Sequence, residues 1–140
     1  MSFELKPKPS QVIPNLQEHV DHYVAQLSGP NAFSARHSLI QAGPAALPVV
    51  VEAFSSSRDP HVKVSLVQLV SEYRSGDAVP FLQTALSDSN ADIWQAALDG
   101  LVILGSRAAL DALRAARSAA RTEQRSWIHD AIVQITEDER

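Results

Sequence analysis

The stretch "NADIWQAALDGLVILG" (residues 90–105) decides the fold. It opens on Asn90, a side chain suited to capping a helix N-terminus. Ala97, Gly100, Leu101 and Leu104 then fall at i, i+3, i+4 and i+7, which is one face of a helix. Gly105 closes it and suits a left-handed C-terminal residue. Stepping from this face by 31 residues in both directions finds the same face again. Leu39, Val70, Leu101 and Ile132 form one aliphatic column, and Ala35, Leu66, Ala97 and Ile128 form a second. Ser38, Leu69, Gly100 and Ala131 make a third, small or aliphatic throughout, and Ala42, Tyr73, Leu104 and Ile135 a fourth. Four columns agreeing over four copies make internal repetition the leading reading.

The other half of each unit repeats as well. Leu16, Leu47, Ala78 and Ala109 share a column, as do Val20, Val51, Leu82 and Leu113, and Tyr23, Phe54, Ala85 and Ala116. The pattern predicts first helices over 13–27, 45–55, 78–86 and 108–119, and second helices over 32–42, 60–74, 91–104 and 122–136. Linkers such as "SGPN", "AGPA", "SRDP" and "SDSN" supply glycine, proline or capping side chains. Asp59 before Pro60 places a cap acceptor ahead of a proline at the first helical position. The column of Gly43 and Gly105 holds Arg74 in the second unit, and Pro80 stands one residue out of register with Pro48. An altered second turn is therefore expected. Each hairpin is too small to bury its own apolar face, so the expected fold is all-α: an alpha-alpha superhelix, or solenoid, of about four hairpins. A single helical bundle explains the helices but not the fixed step. Tetratricopeptide and ankyrin arrays have nearby periods, but their signatures are missing.

Composition agrees. The chain has 140 residues, 45% hydrophobic and only 6% aromatic, enough for one core. Zero cysteines leave no disulfide scaffold and no thiolate metal site or nucleophile. The formal net charge of −4 argues against nucleic acid as partner. No apolar run approaches the roughly 20 residues that cross a bilayer, and no signal peptide is read at the start, so a cytoplasmic location without membrane attachment is expected. The expected organisation is a flexible arm over 1–12, one repeat domain over 13–137 and an acidic tail over 138–140. The repeat units are 13–43, 44–76, 77–105 and 106–137.

The polar cap, the aliphatic residue, the Ala-x-x-Ala-Leu-like core and the terminal glycine resemble the short, bacterial-type HEAT-like repeat. Asn90, Ile93, Ala97, Gly100, Leu101 and Gly105 carry the resemblance, with Asp59, Val62, Leu66, Leu69 and Val70 at the same positions one unit earlier. Pro48 and Pro80 match the first-helix proline of the family. Trp94 stands where the family commonly has arginine, while Lys63 keeps the charge in the preceding unit. The resemblance implies protein binding, without catalysis, through the face built from the second helices. Relatives of this type include adaptor domains, immunity proteins that neutralise a cognate toxin, and proteins of bilin pigment attachment.

Candidate binding residues are those on second helices outside the core columns. Phe33, Val64 and Gln95 share a column, as do His37, Gln68, Asp99 and Asp130, and Ile40, Val102 and Val133 lie one residue past the core leucine column. Together they outline an apolar ridge edged by polar groups. Trp94 and Trp127 are added because tryptophan is enriched where binding energy concentrates, and their offsets predict partial exposure. Arg114, Arg117, Arg121 and Arg125 form a candidate basic strip, the first three along one side if their helix runs that far.

Catalytic chemistry finds little support. His19 and His22 lie three apart, but no third ligand and no His-Glu-x-x-His motif accompany them, so no metal is expected. No glycine-rich phosphate loop appears, and no cofactor is implied. Ser, His and Asp residues are present, but a triad is a matter of geometry. The reading is a non-enzymatic module for an unidentified protein partner, adaptor or regulatory in role, with toxin neutralisation as the alternative.

Overall fold

The computed structural model describes residues 15–138. The arm expected over 1–12 and the last two residues of the expected acidic tail lie outside them. Asp138 ends the final helix. Among the described residues eight α-helices follow one another: α1 (Leu16–Val24), α2 (Ala32–Gln41), α3 (Leu47–Ser56), α4 (Pro60–Glu72), α5 (Val79–Ala85), α6 (Ala91–Leu104), α7 (Arg107–Ala119) and α8 (Thr122–Asp138). No strand occurs among the described residues. Short 3₁₀ turns, Pro44–Ala46 and Gly76–Ala78, lead into α3 and α5. The helices pair into four hairpins stacked as an all-α solenoid. Each even-numbered helix packs on the next even-numbered one, from α2 to α8, and α1 packs on α3 as α5 packs on α7.

Capping residues start the later second helices where the sequence places them. Asp59 accepts a hydrogen bond from the His61 amide at 2.9 Å, and Asn90 one from the Asp92 amide at 2.8 Å. Ser106 caps α7 through the Ala109 amide at 3.1 Å. In the first hairpin, Asn31 makes no such bond, and α2 is the shortest of the second helices.

The core runs through the repeat columns. Leu39, Val70, Leu101 and Ile132 are all buried, as are Ala35, Leu66, Ala97 and Ile128. The third column shows why small residues recur in it. A Cβ on Gly100 would fall on the Ser71 hydroxyl and lie 3.3 Å from the Leu82 side chain, so α6 and α4 approach backbone to side chain there. Ser71 is itself buried and donates to the Val67 carbonyl at 3.1 Å. Polar ties join successive hairpins at buried positions. The Tyr73 hydroxyl donates to the Leu39 carbonyl at 2.7 Å, and the Gln124 amide to the Leu86 carbonyl at 3.3 Å. Burial pushes the Tyr73 phenol above its usual pKa, which keeps it a neutral donor.

The first helices depart from the 31-residue column at one place. Val50 is fully buried and Val51 only half-buried, so the true counterpart of Leu82 is Val50, 32 residues earlier. Val50 lies 30 residues after its buried counterpart Val20, because the turn before α3 is one residue short: seven positions separate Leu39 from Ala46, against eight between Val70 and Ala78 and between Leu101 and Ala109. Arg74 occupies the left-handed region at φ 50°, in the same column as Gly43 at φ 81° and Gly105 at φ 56°. Ser75 follows it and accepts from the Asp77 amide at 3.2 Å, starting the 3₁₀ turn one residue late. The second turn therefore differs from the third in holding Arg74 for glycine and not in length, and the first turn skips the position that Ser75 and Ser106 fill, while the positive φ is common to all three.

Candidate protein-interaction face

The outward columns of α4 and α6 converge on one groove. Val64, Gln68, Gln95 and Asp99 line it, joined by His61, Ser65, Asp92 and Ala96, around a volume of about 390 Å³. Four of the residues singled out in the sequence thus meet on the second-helix face. The other four were missed, although His61 pairs with Asp92 and Ser65 with Ala96 at the same 31-residue step. Extending the column search by one helical turn finds them.

Side-chain hydrogen bonds and burial shape this face. On α2, the Arg36 guanidinium donates to Gln68 Oε1 at 2.7 Å, which ties the first two hairpins together and fixes the orientation of that amide. Burial raises the Asp99 carboxyl above the usual carboxylate pKa. Among the described residues, the salt-bridge distance is met by Arg107 and Asp111, on the exposed surface of α7, and by neither Asp92 nor Asp99. His61, Ser65 and Asp92 share the groove, but no hydrogen bond joins any two of them, so the geometry orients no nucleophile by a base. No group of three or more metal-ligating side chains occurs among the described residues.

The remaining candidates sort by burial. Phe33 is 85% exposed, the most exposed large apolar side chain described. His37, Asp130 and Val133 are exposed, whereas Ile40, Val64 and Val102 are half-buried and pack against the core. The ridge is therefore less apolar at its surface than the sequence suggests, with Phe33 standing apart from the groove lining.

Two expectations are corrected. Trp94 is buried, at 4% exposure, and is no surface anchor. Its column points back toward the first helices. Lys63, one step earlier, lies 4.9 Å over the Phe54 ring of α3, and Arg125, one step later, donates to the Ala120 carbonyl at 3.1 Å. Trp94 fills that interior position and meets Trp127 edge to face, with ring centroids 5.8 Å apart. Trp127 remains half-exposed. The basic strip is also broken. Helix α7 ends at Ala119 and Ala120 is extended, so Arg121 leaves the side shared by Arg114 and Arg117 and borders a separate cavity of about 320 Å³.

A second groove lies on the first-helix side. Pro44, Pro48, Val51, Phe54, Pro80 and Phe81 surround about 820 Å³, with the two phenylalanine rings edge to face at 5.0 Å. It opens where α3 and α5 stand apart, at the boundary between the second and third hairpins.

No single helix among the described residues is long and apolar enough to cross a membrane. No curated protein matches the chain. A family model described as HEAT repeats matches residues 47–132, from the start of α3 into α8, and leaves out the hairpin whose second helix is short and uncapped. With hairpins, columns and close-packed small residues all in agreement with that match, the chain belongs to the HEAT repeat family.

Proposed function

We propose that the chain is a protein-binding module, adaptor or regulatory rather than catalytic, that engages its partner through the second-helix face centred on the α4–α6 groove. The observation that supports it is the convergence of Val64, Gln68, Gln95 and Asp99 on one groove of a HEAT repeat protein. HEAT repeats are commonly protein-interaction modules. The groove combines half-buried aliphatic surface with amide and carboxylate groups at its edge, as an interface core and rim do. The test is comparative capture from native lysate. The full chain, a Val64→Arg/Gln95→Arg double variant and a Gln83→Arg control at an exposed position of α5 are used as baits, all three checked for equal melting temperature. A protein retained by the parent and the control but lost with the double variant supports the reading. Equal retention by all three overturns it.

A further inference from the structure

We propose that the α4–α6 groove is a receptor for an arginine side chain presented by a basic polypeptide segment, with Asp92 and Asp99 receiving its charge. This names the partner chemistry of the second-helix face and rests on the protein-binding reading above.

Charge supports it first. The groove holds two carboxylates, on Asp92 and Asp99, and among the described residues neither lies within salt-bridge distance of a Lys or Arg. Its one potential cation is the imidazole of His61. The Arg36 guanidinium of α2 is held by Gln68 Oε1 and does not line the groove. The arginines of the chain instead concentrate on α7 and at the start of α8, outside the groove. A basic segment is thus attracted to the carboxylates of the groove.

Shape and hydrogen bonding narrow the ligand. Val64 and Ala96 offer an apolar wall on which the methylene stem of a long cationic side chain can lie. Gln68 and Gln95 add amide oxygens beside the carboxylates. Gln68 Oε1 already accepts from Arg36, so Gln95 carries the amide contribution. A guanidinium presents five N–H donors in a planar fork, which suits several acceptors spread around a groove better than a compact ammonium does. The Asp99 carboxyl is partly removed from water without a countercharge, and an arriving guanidinium relieves that penalty.

The experiment titrates the isotope-labelled full chain with a short Gly/Ser peptide carrying two arginines. The same peptide with citrulline, which keeps the shape and loses the charge, and one with glutamate are run beside it. Amide signals of α4 and α6 are expected to shift with the arginine peptide. Affinity is expected to fall roughly tenfold with citrulline or with Asp99→Asn. It should weaken as salt is raised. Both carboxylates are exposed, so Asp92→Asn and Asp99→Asn are expected to fold, which their melting curves check. If citrulline binds as well as arginine at the same signals, or if neither Asn variant alters affinity, the charge inference is overturned while the second-helix face stands as a binding site. If the arginine peptide shifts only signals outside α4 and α6, or none, the inference is overturned too. In either case, comparative capture decides the broader reading separately.

Discussion

The even-numbered helices keep their 31-residue step from the first hairpin to the last, and the odd-numbered helices lose it at α3, where Val50 lies 30 residues after Val20 and 32 before Leu82. The two layers differ in how closely their members touch. Between α4 and α6, Gly100 rests on Ser71 with no room for a Cβ, so a shift of one residue puts a side chain into the neighbouring helix. Between α3 and α5, contact passes through the Phe54 and Phe81 rings across an open groove, and the one-residue shift of α3 is absorbed in the connections on either side of it. Repetition is strict where backbones approach and relaxed where side chains bridge a gap.

The largest expected effect tests the strict layer. Leu101 is fully buried at the centre of the inner layer, and Leu101→Ala is expected to destabilise the chain by about 2–5 kcal/mol in urea unfolding. A loss below about 0.5 kcal/mol, within the range of surface substitutions, breaks the comparison at its root. Gly100→Val is next, at about 2–3 kcal/mol from forced separation of α4 and α6. Adding Ser71→Ala removes the first atom in the way and is expected to recover part of the loss, whereas additive effects in the double variant contradict the close approach. In the relaxed layer, Val50→Ala is expected to cost about 1.5 kcal/mol for two buried carbons and Val51→Ala less than half as much. Equal losses restore the unbroken 31-residue register to the first helices.

What was legible in the sequence follows the same division. The columns of Leu101 and Ala97 specify burial directly, because aliphatic residues at helical spacing have one economical arrangement. Val50 and Val51 are chemically identical neighbours, so composition cannot choose between them, and only the displacement of Pro80 relative to Pro48 carries the signal. Trp94 was misplaced because its burial is settled by a partner 33 positions away, Trp127, that no local pattern ties to it. The groove was half legible: Val64, Gln68, Gln95 and Asp99 lie on repeat columns, but that they close around one cavity depends on the distance between α4 and α6.

The smallest predicted effect sharpens the point at which the two layers separate. Arg74 holds φ 50° in the column where the first and third hairpins have glycine, at a cost of about 1–2 kcal/mol for an L-residue in that region. Glycine there removes the strain and returns part of the gain by loosening the unfolded chain. Arg74→Gly is therefore expected to stabilise the protein by about 0.5–1 kcal/mol, read as a rise of a few degrees in Tm. Arg74→Ala keeps the Cβ and the strain and is expected to give no such rise. The pair separates backbone relief from the loss of an exposed charge, which both variants share. Equal behaviour of the two means that the turn has adapted its backbone to arginine. A gain confined to glycine means that the helix end keeps one form at Gly43, Arg74 and Gly105, so that the change of register lies in the length of the turn before α3.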